Sequence, residues 1–254
     1  MVFGGAPRID LSKMIYPYLQ LPTPRLRHLR IYGADVNLGD AQLLPTAPVL
    51  SSINVHTLTF RAFARASLPA LRELTLMAQD QMPDLTVIGT SFPHLRHLCI
   101  SRFRIRNDPQ TSVPPPFARL ESLKVDGFDA LACFSPDGLP ALTHLSLTIL
   151  RSPNDDSVRL PDMPVLRKLS IHGQSCWTLA LSFFDHVPGV EGLVLRSTQF
   201  DRTSTPSFWT QWAQRDSVRT LPRLREITLE GAANKPVDEV TGLWEFLQAR
   251  CCTP

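Results

Sequence analysis

The sequence predicts an α/β solenoid: a curved parallel β-sheet of about nine repeats, with an irregular or short-helical convex side. Three observations carry that reading. A trio of aliphatic residues, at the first, fourth and sixth places of a short segment, recurs along the chain. A proline stands two residues before most of these trios. The interval between trios is nearly constant.

The clearest unit is Pro69-Ala70-Leu71-Arg72-Glu73-Leu74-Thr75-Leu76. The trios are Leu26, Leu29, Ile31; Leu50, Ile53, Val55; Leu71, Leu74, Leu76; Leu95, Leu98, Ile100; and Leu120, Leu123, Val125. Then follow Leu142, Leu145, Leu147; Leu166, Leu169, Ile171; Val190, Leu193, Leu195; and Leu224, Ile227, Leu229. Every position holds Leu, Ile or Val, which excludes coincidence. The prolines are Pro24, Pro48, Pro69, Pro93, Pro140, Pro164, Pro188 and Pro222. The fifth unit has Ala118 instead, with Pro114-Pro115-Pro116 just upstream. First positions lie 21 residues apart at the closest, Leu50 to Leu71, and typically 24, as from Leu71 to Leu95. Only the step from Val190 to Leu224, at 34, is longer. This is the period of leucine-rich repeats, so the solenoid is expected to be a leucine-rich-repeat solenoid.

Each part of the unit has a physical reason. Within L-x-L the side chains alternate, so both leucines point to one face of a strand. The proline fixes φ and disfavours helix immediately before it. Parallel strands need a long crossover, and the ~15 residues between units supply one. No unit can bury its leucines alone; stacking does it. A run of amphipathic helices would instead show the i, i+3, i+4, i+7 spacing.

Residues 1–254 are expected to form one domain. Residues 1–23 read as a degenerate first repeat or cap, with Pro7-Arg8-Ile9-Asp10-Leu11 followed by the apolar Met14, Ile15, Tyr16, Tyr18, Leu19 and Leu21. Repeats occupy 24–231, and 236–250 reads as a capping helix with Val240, Leu243, Trp244 and Leu247 on its apolar face. Crossover helices are expected over Gln174–Val187 and from Thr205-Pro206, where Phe208, Trp209 and Trp212 recur at helical spacing. Asn107–Pro116 and Arg151–Asp162 read as loops.

Composition excludes several classes. Lys and Arg number 26 against 23 Asp and Glu, with no run of like charge, so neither nucleic acid nor a membrane surface is indicated as a partner. No run of apolar residues is long enough to span a bilayer, and Met1-Val2-Phe3-Gly4-Gly5 is not a secretory signal. A cytoplasmic or nuclear location is expected, with Cys99, Cys133, Cys176, Cys251 and Cys252 reduced.

Three segments carry a family likeness: Leu68-Pro69-Ala70-Leu71-Arg72-Glu73-Leu74, Phe92-Pro93-His94-Leu95-Arg96-His97-Leu98 and Met163-Pro164-Val165-Leu166-Arg167-Lys168-Leu169. With Phe3–Arg8 and Leu243–Arg250, they resemble the leucine-rich-repeat region of fungal F-box proteins. The resemblance implies target recognition for a ubiquitin ligase. It implies a ligase adaptor as partner only if an F-box lies upstream, since no Leu-Pro-x-Glu helical segment precedes these repeats. A scaffold or signalling adaptor unrelated to ubiquitin, and a truncated gene fragment, are the alternatives. The repeats also depart from the usual asparagine ladder. The column three residues past each strand reads Ala34, Leu58, Gln79, Phe103, Phe128, Leu150, Gln174, Thr198 and Ala232, so the convex turns are expected to pack through apolar side chains.

Between the aliphatic positions lie the residues of the opposite, concave face, where a protein partner is expected to bind. The candidates are His28, Arg30, Tyr32, Asn54, His56, Glu73, Thr75, Met77, His97 and Ser101. They continue as Lys124, Asp126, His144, Lys168, His172, Arg196, Glu226 and Glu230. Several are histidines, but His28, His97 and His144 sit in units one, four and six. At ~4.8 Å per strand, neighbours in that column stand on the order of 10–15 Å apart. Zinc lies about 2 Å from each ligand nitrogen, so no metal is expected there. No nucleophile elbow, phosphate loop or His-Glu-x-x-His occurs, and neither catalysis nor a cofactor is expected. Gly173-Gln174-Ser175-Cys176-Trp177 matches an elbow only superficially. Arg27, Arg72, Arg96, Arg167 and Arg225 form a row that either attracts acidic partners or covers neighbouring repeats with its aliphatic stems.

Overall fold

The computed structural model describes residues 17–31, 43–56, 63, 66–77, 82–101, 114–149, 160–173, 181–197, 221–231, 244 and 246–248. Its centre is one parallel sheet of nine strands whose spatial order is their sequence order. The strands are β1 (His28–Arg30), β2 (Ser52–His56), β3 (Glu73–Met77), β4 (His97–Ser101), β5 (Ser122–Asp126), β6 (His144–Ile149), β7 (Lys168–Gly173), β8 (Gly192–Ser197) and β9 (Glu226–Gly231). Nine strands for nine trios, each beside the next in the chain, make an α/β solenoid-like arrangement whose sheet does not close on itself.

Register is uniform. Leu74 pairs with Ile53 on one side and Leu98 on the other, and Leu145 pairs with Leu123 and Leu169. Like positions of the repeat therefore stack into columns. The strand leucines and isoleucines of β2 to β8, with Val55 and Val125, are buried almost completely, as are Leu50, Leu71, Leu95, Leu120, Leu142, Leu166 and Val190 just before them. Each such side chain contributes about 1.5–3 kcal/mol relative to exposure. The end units differ: Leu26, Leu29 and Ile31, and Leu224, Ile227 and Leu229, are only partly buried. They belong to the first and last strands of the sheet.

The turn before each strand accounts for the proline. In all nine units the first aliphatic residue donates its N–H to the carbonyl three residues earlier, as Leu71 does to Leu68 at 3.0 Å and Leu142 to Leu139 at 3.3 Å. The proline is the second residue of this β-turn, the place where its fixed φ costs nothing and its missing N–H is not needed. Unit five makes the same bond, Leu120 to Phe117 at 3.1 Å, with Ala118 in the proline's place. The residue before the proline turns inward, so Ala47, Leu68, Phe92, Phe117, Leu139, Met163, Val187 and Leu221 form a further buried column. The turn then hands over to the next unit. Arg72 and Glu73 both donate to the Ser51 carbonyl, and Arg96 and His97 both donate to that of Arg72.

Short helices occupy some crossovers. Helix α1 (Leu85–Ser91) starts at Asp84, whose carboxylate accepts from the Thr86 and Val87 amides at 2.9 and 3.3 Å. It buries Leu85 and Ile88 against the core. Helix α2 (Phe128–Ala132) buries Phe128, Ala130 and Leu131. The expected helix over Gln174–Val187 is a 3₁₀ helix at Leu181–His186, and 174–180 lie outside the described residues. Phe183 packs edge-on against Phe128 and Phe184, so at Phe128 the position of the missing asparagine ladder is filled by aromatic packing. The crossover after Thr205 also lies outside the described residues.

Near the N-terminus Pro17, Tyr18 and Leu19 are helical; Leu19 enters the core while Tyr18 and Leu21 are exposed. At the other end Trp244 and Phe246–Gln248 are helical, but the buried residue is Phe246. Trp244 is 61% exposed and Leu247 37%, which corrects the expected apolar face. Two residues turn a helix through about 200°, so a helix that buries Phe246 points Trp244 outward.

Candidate functional site

The face of the sheet opposite the aliphatic columns is built by alternation alone. Along β5 the burial runs Leu123 in, Lys124 out, Val125 in, and every strand from β2 to β7 follows this rule. His28, Arg30, Glu73, His97, Lys124, His144, Lys168, Arg196 and Glu226 are exposed on this face. Asn54, His56, Thr75, Met77, Ser101, Asp126, His172 and Glu230 are half-buried there. Tyr32 lies outside the described residues.

Register decides which of these residues meet. The first column runs His28, Ser52, Glu73, His97, Ser122, His144, Lys168, Gly192, Glu226. The second places Lys124 between Cys99 and Ser146. The third places His172 between Thr148 and Arg196, and Arg196 beside Glu230, with which it forms an ion pair. Basic side chains thus stand on β4 to β8 and again, as His28, Arg30 and His56, on β1 and β2, and carboxylates stand on β3 and β9, with Asp126 on β5.

Electrostatics reflect that grouping. Burial, reinforced by the charges of Lys168 and His97, holds the His144 imidazole below the ordinary histidine value, while Glu121 acts the other way. Burial also lowers His172, helped by Arg196 and Lys124 and opposed by Glu230. Cys99, which faces the same side, is pushed up by burial; Lys124 opposes the rise and Asp126 adds to it. It is a thiol, not an activated thiolate. Among the described residues no three His, Cys, Asp or Glu side chains converge as metal ligands would, and no helix is long and apolar enough to cross a membrane.

The edge where strands begin has its own character. The eight turn prolines are exposed, as are all five arginines of the row. Two of those arginines pair with a glutamate of the following unit: Arg96 with Glu121 at 3.2 Å and Arg167 with Glu191 at 4.0 Å. Pairing along the row was not expected, although Glu121 and Glu191 occupy the arginine position of their own units. Two shallow clefts open along this edge. One of 460 Å³ is lined by Pro140, Pro164, Pro188, Asp137, Asp162, Asp185 and His186, and in it the imidazole of His186 meets Asp162 at 2.7 Å. The other, 310 Å³, lies between Pro69 and Pro93. Neither was expected, because an edge cleft arises from turns meeting across units.

No family model matches the chain, and no curated protein matches it.

Proposed function

We propose that this chain is a non-catalytic protein-binding module, a leucine-rich-repeat solenoid whose open, concave sheet face meets a protein partner. One observation carries the reading: a continuous polar face, nine strands wide and ~40 Å long at the usual strand separation, backed throughout by a single hydrophobic core. A rigid parallel stack holds its outward side chains at fixed spacing, which suits recognition of an extended surface. The repeat segments support a narrower form, target recognition within an F-box-type ubiquitin ligase in the cytoplasm or nucleus; a scaffold role uses the same face without the ligase.

Site-specific photocross-linking tests the module. A benzophenone side chain at Thr75, on the open face, is expected to trap a protein from cell extract, and the same group at Asp129, on the exposed side of α2, is not. Trapping from Asp129 and not from Thr75 would overturn the reading. The ligase form is decided by coding sequence upstream of Met1 and by whether the ligase adaptor co-purifies with the full product.

A further inference from the structure

We infer that the open face over β4 to β8 is built for a short acidic segment of the partner, a run of Asp and Glu lying across the strands. This rests on the protein-binding reading and names the chemistry of what that face binds.

Four groups define the patch. His97, His144 and Lys168 share the first column on β4, β6 and β7, and Lys124 stands one step along on β5. All four are exposed. Three of the arginines are matched: Arg96, Arg167 and Arg196 each hold a glutamate. Among the described residues Lys124 and Lys168 form no ion pair. Burial lowers the proton affinity of His144 most; Lys168 and His97 add to it and Glu121 opposes them, so these groups lie within electrostatic reach of one another. Two lysines and two imidazoles therefore share a strip roughly 15 Å wide, three strand intervals, whose two lysine charges are held by no ion pair among the described residues. Asp126, two residues beyond Lys124, and Glu121, whose charge reaches His144, are carboxylates beside it.

Gly192 continues the column beside Lys168, and a Cβ placed there would be in ordinary contact, at 3.9 Å, with the Lys168 stem and the Glu226 carboxylate. The column is closed by Glu73 on β3 and Glu226 on β9. Those carboxylates repel a polyanion that continues past the patch, so the ligand is a short acidic run and not a long one. The described residues of this face include no Phe, Tyr or Trp, the larger rings on which successive bases stack, which disfavours single-stranded nucleic acid.

Fluorescence anisotropy with a labelled peptide of alternating Glu and Ser tests the assignment. The controls are the same peptide with Lys for Glu, and an oligothymidylate of similar length. At low salt the wild-type protein is expected to bind the Glu-Ser peptide and not the Lys-Ser peptide, and K124E/K168E to bind the Glu-Ser peptide about tenfold more weakly. Both lysines are exposed, so this variant should melt with the wild type; if it does not, K124Q/K168Q makes the same comparison. No binding of the Glu-Ser peptide, equal binding by the lysine variant, or tighter binding of the oligothymidylate would each overturn the inference. If Thr75 traps a protein while the Glu-Ser peptide fails to bind, the acidic-segment inference falls and the protein-binding module stands.

Discussion

Gly173 lies directly against the backbone of Ile149, its partner on the neighbouring strand: a Cβ at Gly173 would fall 1.9 Å from the Ile149 carbonyl oxygen. Its φ of +145° is one that side chains rarely adopt. Gly173→Ala must therefore shift β7 away from β6 or rebuild the strand end. It is expected to destabilise the fold by ~2 kcal/mol or more, read as a lowered urea midpoint.

Gly192 gives the opposite expectation within the same sheet. A Cβ there meets only ordinary contacts at 3.9 Å, from the Glu226 carboxylate and the Lys168 stem. Gly192→Ala removes backbone freedom from the unfolded chain and adds no clash. Stability is expected to be unchanged or to rise by about 0.4–1 kcal/mol in the same titration.

Inside and outside can be separated by two substitutions. Leu74 is 1% exposed between Ile53 and Leu98, so Leu74→Asp places an unpaired charge in the stack and is expected to cost several kcal/mol. Lys124→Ala on the open face is expected to stay within about 0.5 kcal/mol. Thermal melts of the two variants must differ; equal melts would reverse the assignment of faces.

Stability should also depend on mild acid through His144 and His172. Both bind a proton less readily in the folded chain than at the ordinary value of 6.5. Just below that value the unfolded chain holds more protons, so stability falls as pH drops through 6.5 and levels off once the folded imidazoles protonate. Urea midpoints at about pH 7.5 and about pH 5.5 are expected to differ less in H144Q/H172Q than in the wild type.

The strands were legible because their signal is local. Leu, Ile and Val at period two, preceded by proline, specify a half-buried strand without knowledge of its neighbours, and Leu74 and Leu98 fell where the pattern put them. The turn was legible only in part: proline marked it, while the inward-facing column through Phe92 and Met163 follows from the hydrogen bond that closes it. Helix α1 was missed. Its signal is one capping residue, Asp84, ahead of a segment rich in β-branched side chains that favour strand by propensity. The site was legible as a set of outward positions. Which of them meet, as Arg196 meets Glu230 from 34 residues away, depends on register between units.

The half-covered ends of the stack give the fold an order of unravelling. Strands β2 to β8 each have a strand neighbour on both sides, whereas the leucines of β1 and β9 keep part of their surface in water. In a linear array held by nearest-neighbour contacts, opening starts where the stack is least covered and proceeds inward. The middle strands, which carry Lys124, His144 and Lys168, are then the last to lose their shape, and the ends can breathe while the centre keeps its grip.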